Sequence, residues 1–270
     1  MDVDPIEQMT LARELVRPDS LWSSVEVVAE TGSTNADLAA RARAGAALGS
    51  VLVTDFQSAG RGRQGRVWTA PAGTGIAMSV LVRPDGIEPS RWTWLPLLTG
   101  LAVSDGLRQA VDLPAVLKWP NDVLVLERKI CGILAERVET PTGPACVIGM
   151  GLNVTLGEAD LPVPTATSVA LALAELGADG LVLSRTTLVT HILVSLGRIL
   201  THWSAVGQDQ AIAVPYLERC TTIGRSVRVL LAGDRSVDGV AESIDPDGRL
   251  VVRTPTGPQT FGAGDVIHLR

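Results

Sequence analysis

The stretch 115–154 constrains the fold more than any other part of the chain. Segments 115–119, 122–126, 129–138 and 145–154 read as four successive strands, rich in Val, Leu, Ile and Ala. Between the last two, Glu139-Thr-Pro-Thr-Gly-Pro144 carries the residues of a hairpin turn. Strands are also expected at 25–29, 51–56 and 76–82, and helices at 6–17, 91–111, 166–176, 185–203 and 208–219. From Thr222 the texture changes to short alternating runs (SVRVLL, VDGVAESI, RLVVRT, QTFG, DVIHLR) separated by turn clusters. That pattern belongs to a small all-β module of about 50 residues. The expected layout is an α+β domain over residues 1–221 with a small β-barrel over 222–270.

Composition narrows the function. Hydrophobic residues make up 46% of the 270, which excludes wholesale disorder. The net charge of −6 disfavours a general nucleic-acid binder, which needs basic excess to replace phosphate counterions. No apolar run reaches the ~18 residues of a membrane span. The first fifteen residues, MDVDPIEQMTLAREL, carry acids where a secretory signal needs a basic start, so a cytoplasmic protein is expected. Cys131, Cys146 and Cys220 lie far apart and read as core residues in a reducing compartment. The three histidines form no cluster, and no HExxH or GxSxG motif occurs. Trp92 and Trp94, at i and i+2, cannot share one helix face, so one is expected to be partly exposed.

Only two of the 23 basic residues are lysines, Lys118 and Lys129, and they lie close together. An ammonium is a compact point charge, unlike the planar fork of arginine, so both positions are candidates for sites that need one. The other unusual segment is Gln57-Ser-Ala-Gly-Arg61-Gly62-Arg63-Gln-Gly-Arg66-Val-Trp68. No acid occurs between Asp55 and Asp85, so this region holds a local charge of +4 once Arg83 is included. Its glycines allow close backbone approach to a ligand, and its arginines seek an anion. Trp68 offers a platform for a flat base. The spacing of Gly60, Gly62 and Gly65 spells GxGxxG, but no helix follows, so a Rossmann site is not expected. A solvated mobile loop is the plain alternative.

Three further segments carry polar chemistry. In Lys118-Trp-Pro-Asn121-Asp122, the carboxylate is a hard oxygen suited to Mg²⁺, which combines one or two carboxylates with substrate phosphates. Read alone, Asn121-Asp122 is equally a turn. Gly132, and the pair Gly149 and Gly151 before Asn153, imply something packed against strand backbone, or a β-bulge. Thr31-Gly-Ser33-Thr34-Asn35 precedes a helical pattern, as a cap or as a binding site for a small polar ligand.

Taken in order, STN, QxAGRGRxGRxW, KWPND, KxxGILxE and GxGxN resemble the biotin–protein ligase family over residues 33 to 153. The C-terminal module resembles that family's SH3-like domain. The resemblance implies a mixed β-sheet backed by helices, with the site on the open side of the sheet. It implies activation of biotin by ATP to biotinyl-5′-AMP, then transfer to a lysine of a biotin carboxyl carrier protein domain, with Mg²⁺ assisting. It assigns Ser33, Thr34, Asn35, Gln57, Arg61, Gly62, Arg63, Lys129 and Gly132 to biotin. It assigns Arg61, Arg66, Trp68, Lys118, Asn121 and Asn153 to ATP, and Asp122 to Mg²⁺. Lys129, Arg63 and Lys118 are the expected catalytic residues. Gly132 is expected to let the biotin ring pack on the strand. Some relatives carry an N-terminal winged helix of about 50 or more residues. The segment before the first strand is shorter than that here, so no DNA-binding function is expected. A lipoate ligase of the same fold, and an RNA-binding module gripping through the arginine loop, are the competing readings. Competition between biotin and lipoate separates the first, and salt-dependent retention on RNA without ATP turnover the second.

Overall fold

The computed structural model describes residues 4–178, 180–206, 210–231, 233 and 235–269. Helices are α1 (Gln8–Leu15), α2 (Thr34–Arg43), α3 (Trp94–Val111), α4 (Val169–Glu175), α5 (Arg185–Val206) and α6 (Val214–Arg219). Strands are β1 (Ser24–Val28), β2 (Ser50–Thr54), β3 (Gly75–Val82), β4 (Val116–Lys118), β5 (Asp122–Val125), β6 (Arg128–Thr140) and β7 (Gly143–Asn153). The C-terminal strands are β8 (Ser226–Leu230), β9 (Ser236–Ile244), β10 (Leu250–Thr254), β11 (Gly257–Phe261) and β12 (Asp265–His268).

The first seven strands form one sheet in the order β1-β2-β3-β7-β6-β5-β4. β1 and β2 run parallel, and every other neighbouring pair is antiparallel. The sheet is therefore mixed, as expected. The four central segments of the sequence lie consecutively at one side because each connection between them is a turn. Helices α3 and α5 pack on each other, and α3 lies on β4, β5 and β6. Their side chains and the inward residues of the sheet make the main core, from Leu11 and Trp22 to Trp203 and Tyr216. Among the described residues, α2 is the helix that covers the other face. It seals a small second core of Leu38, Ala39, Ala42, Leu81, Val138, Ala145 and Val147. All eight residues of β3 are consequently buried. Beyond α2 the face stays open, and there the site lies.

The five C-terminal strands make an antiparallel sheet in the order β11-β10-β9-β8-β12, the SH3-like unit. The turn between β9 and β10 caps the start of α3. Trp94 Nε1 donates to Pro246 O at 2.9 Å, and Trp119 Nε1 to Gly248 O at 3.4 Å. A buried indole N–H needs such an acceptor. Trp94 is thus buried by the C-terminal unit rather than by its own helix face. Trp92 precedes the helix and donates to Ile87 O at 3.2 Å. Both tryptophans are buried, which corrects the expectation that one is exposed. The expected helix 208–219 is also corrected. Residues 207–209 lie outside the described residues, Gln210–Ala213 is a 3-10 turn, and α6 begins at Val214 before Pro215, which suits a helix's first turn. Among the described residues, no helix is long and apolar enough to cross a membrane.

Candidate active site

The N-terminus of α2 points at the open face of the sheet. Ser33 caps the helix, its hydroxyl accepting from the Ala36 amide at 3.5 Å. The next two side chains turn toward the sheet and are almost fully buried. Ser79, on β3, donates to either Thr34 Oγ1 or Asn35 Oδ1, each at 2.7 Å. Gln57 Oε1 accepts from the Thr34 amide at 2.9 Å and from its hydroxyl at 3.1 Å. Asn35 Nδ2 reaches Leu134 O at 3.1 Å and Glu136 Oε2 at 2.8 Å. Each polar group is held by a second, so this end of the site is fixed before any ligand arrives.

Glycines form the floor. Gly132 on β6 pairs with Gly151 on β7, and Leu134 with Gly149. A β-carbon on Gly149 would lie 2.2 Å from Asn35 Oδ1, and one on Gly151 would lie 2.5 Å from Trp68 Cε2. The strands need glycine because other side chains occupy that volume. The Trp68 indole also lies against Gly132. The indole is laid down by the arginine loop, which folds back as a narrow hairpin. Its backbone closes through Gly62 N to Arg66 O at 2.7 Å and Trp68 N to Gly60 O at 2.9 Å.

The cationic end faces this floor. Lys129 Nζ lies 5.6 Å from the centre of the Trp68 ring and 2.6 Å from Asp122 Oδ1. Arg63 donates to Asn121 Oδ1 and to Gly264 O, both at 3.0 Å, and Arg66 pairs with Asp265 at 2.8 Å. The C-terminal unit thus latches the arginine loop. Burial holds the Arg63 guanidinium below its usual range. No described residue pairs with the Arg61 guanidinium, which is exposed at the rim.

These groups surround one cavity of about 220 Å³. It is lined by Ser33, Thr34, Asn35, Gln57, Arg61, Gly62, Arg63, Arg66, Trp68, Asn121, Lys129, Gly132 and Asn153, all singled out from the sequence. Lys118 and Asp122 are not among them. They line an adjoining cleft of about 420 Å³ against the C-terminal unit, and Lys129 borders both spaces. Sequence reasoning missed Ser79, although a lone hydroxyl in the buried run GIAMSVLV was a legible clue. It also missed Gly264 and Asp265, which no local pattern marks. Sequence reasoning also gave no part to Glu136, which is exposed and accepts from Asn35.

His268 of β12 borders the adjoining cleft. Its Nδ1 faces Arg225 Nη1 at 3.5 Å and its Nε2 faces Thr222 Oγ1 at 3.1 Å. A guanidinium can only donate, so Nδ1 accepts and Nε2 carries the proton. Burial, then the nearby Lys118 and Arg225 cations, push His268 down to about 4. The unfolded chain therefore takes up this proton first. Stability contributed by the neutral ring is present above the ordinary value of 6.5 and is lost as pH falls toward 4. In an imidazole NMR titration, His268 is expected to stay neutral at pH 5.5. A midpoint near 6.5 would contradict this account.

Comparison with known proteins supplies the family context. Residues 31–153 match the biotin/lipoate A/B protein ligase family, and residues 222–269 match the biotin protein ligase C-terminal domain. The chain is 40% identical to the biotin–[acetyl-CoA-carboxylase] ligase of Mycobacterium tuberculosis, covering 98% of this chain and 97% of that protein. It is 30% identical to the ligase of the same name from Paracoccus denitrificans, over 89% and 98% of the two chains. Among solved structures, the biotin protein ligase from Aquifex aeolicus in complex with biotin and ATP superposes with a TM-score of 0.75 at 26% identity. That superposition covers 92% of this chain and all of the other.

Proposed function

The chain belongs to the biotin protein ligase family, and on that premise we propose the following course for its reaction. Biotin is activated by ATP to biotinyl-5′-AMP, and the biotinyl group passes to a lysine of a carrier domain of a biotin-dependent carboxylase. The observation that carries this reading is a single cavity with a pre-built polar end, a flat glycine floor and a cationic end. The polar end, Ser33, Thr34, Asn35 and Gln57, takes the cyclic urea of biotin, which offers one carbonyl and two N–H groups. The carboxylate then lies toward Lys129 and Arg61, where its oxygen attacks the α-phosphorus and pyrophosphate leaves. Two anions must meet, so the main task of the protein is positioning and charge neutralisation. Lys129 stabilises charge at the α-phosphate, and Trp68, Asn121 and Asn153 lie on the nucleotide side. In the second step a deprotonated acceptor lysine attacks the acyl carbon and AMP departs.

The residues fit a divalent cation held jointly with the substrate. Asp122 Oδ1 is buried and meets the Lys129 ammonium at 2.6 Å, with no further hydrogen-bond partner among the described residues. Among the described residues no group of three or more His, Cys, Asp or Glu could hold a metal by itself. That matches Mg²⁺, which is usually bound through one or two carboxylates plus phosphates. When bound, it supplies charge neutralisation to the phosphates.

Exchange of labelled pyrophosphate into ATP tests the reading. It is expected to require biotin, to be insensitive to lipoate as competitor, and to stop when EDTA removes divalent cations. Exchange driven by lipoate would reassign the acid substrate, and a folded protein without any exchange would overturn adenylation.

A further inference from the structure

A buried ion pair adjoins the polar end of the cavity. Arg185 is the first residue of α5, and its side chain is only 3% exposed. That position does not suit a cation. Ser184 Oγ accepts from the Thr187 amide at 3.2 Å, so the helix starts there, and the positive end of its dipole repels a guanidinium. A guanidinium withdrawn from water also needs an anion and acceptors for its N–H groups. Arg185 finds both in segments distant in the chain. Its Nη1 meets Asp55 Oδ2 at 3.0 Å, and its Nε donates to Asp4 O at 3.0 Å. The segment of Asp4 is itself fixed on α5, where the Glu7 amide donates to Thr186 Oγ1 at 2.9 Å.

Asp55 directly follows β2 and lies two residues before Gln57. The stretch between them runs beside Thr31. The Thr31 amide donates to Phe56 O at 3.3 Å, and the Ser58 amide to Thr31 O at 3.0 Å. Gln57 Oε1 then holds both the amide and the hydroxyl of Thr34. Asp55, Gln57 and Trp68 line one narrow crevice, and Gln57 and Trp68 also line the cavity. The Asp55 carboxylate thus ties the strand end that carries Gln57 to α5, across 130 residues of sequence.

We propose that Arg185 is a positioning residue for the acid substrate. Through Asp55 it fixes Gln57, and with Gln57 the polar end that takes the ring of biotin. Arg185 itself lies outside the cavity lining. The inference rests on the assignment of the polar end to biotin made above. Without the ion pair, the strand end keeps its backbone bonds to Thr31 but loses its tie to α5, so Gln57 Oε1 is no longer held in place against Thr34. Contacts to the biotin ring are the same in the ground state and the transition state. Their loss therefore falls on biotin affinity and spares the chemical step.

The test compares wild type with Asp55→Asn, Arg185→Gln and Arg185→Lys. Each whole protein is titrated with biotin by calorimetry and assayed for biotin-dependent pyrophosphate exchange. Asp55→Asn keeps the side chain's size and removes its charge. It is expected to weaken biotin binding and raise KM for biotin about tenfold, with kcat and KM for ATP within about twofold of wild type. Arg185→Gln breaks the same pair and gives a similar loss. Arg185→Lys retains a cation for Asp55 and stays within about threefold of wild-type affinity. Asp55 is partly exposed, so Asp55→Asn decides the matter if Arg185→Gln does not fold. Ile192→Val, fully buried two turns along α5, is the control, with a lower Tm and wild-type biotin affinity. Weaker biotin binding by Asp55→Asn supports the positioning role even if wild type binds biotin without exchanging pyrophosphate, an outcome that counts only against adenylation. Unchanged biotin affinity in Asp55→Asn overturns the proposal. So does an equal loss for biotin and ATP, or a loss of biotin affinity in Ile192→Val that follows its Tm, because these mark an ion pair that serves stability alone.

Discussion

Replacing Lys129 by alanine is expected to lower biotin-dependent pyrophosphate exchange by about 10²–10³-fold, the usual cost of removing one preorganised stabiliser of transition-state charge. The structure gives reasons for the large end of that range. The ammonium stands between the glycine floor and Asp122, 2.6 Å from Oδ1. Its loss removes a positive charge and also leaves the Asp122 carboxylate facing the incoming phosphates unscreened. Lys129→Arg is expected to rescue poorly, because a planar fork cannot occupy the place of a point charge over the Trp68 ring. Stability should change little. The Lys129 backbone is fixed by its own bonds to Thr165 O at 2.7 Å and from Thr167 N at 2.8 Å, which the substitution keeps. Exchange within threefold of wild type would remove Lys129 from the reacting phosphate.

Gly149→Ala should be the most damaging single-methyl substitution in the floor. Its β-carbon would lie 2.2 Å from Asn35 Oδ1 and 2.8 Å from Asn35 Cγ. Asn35 cannot simply swing aside, because Ser79, Leu134 O and Glu136 hold it from three directions. Something in the polar end must move, at a cost of about 1–3 kcal/mol for an overpacked site. The displaced Asn35 releases the Ser79 hydroxyl, which also serves Thr34. Biotin affinity is therefore expected to fall at least tenfold alongside a lower Tm. A contrasting control is Gly65→Ala, where a β-carbon meets nothing within 4 Å and the penalty comes from the backbone angle of +73° alone. Unaltered biotin binding in Gly149→Ala would show that the polar end does not hold the ligand.

The parts of the site that were legible in the sequence are those whose function demands unusual local composition. The arginines of 61–66, the two lysines and the strand glycines each break the pattern around them, and each is in or beside the cavity. The strands were legible for the complementary reason, since alternation and turn residues are local properties. Contacts between distant segments were not. Nothing near Asp265 or Gly264 marks them as partners of Arg66 and Arg63, some 200 residues earlier in the chain. The division of the charged residues between two spaces was also illegible. Lys118 and Lys129 are close in sequence, yet only Lys129 borders the cavity, because Lys118 ends β4 at the sheet's edge beneath the C-terminal unit. The misjudged tryptophans have the same origin. Helical periodicity describes one element, and Trp94 is buried by another.

The order of the central sheet also fixes when the cavity can exist during synthesis. β3 pairs with β7, so Gly75 meets Asn153 and Ser79 meets Gly149 across about 70 intervening residues. The polar end, made from the first third of the chain, has no floor until β7 has left the ribosome. The latch on the arginine loop comes later still, from residues 264 and 265. A nascent chain therefore carries the arginine loop and the buried Asn35 without their partners for most of its translation. The latch on the arginine loop is complete only when the last strand is in place.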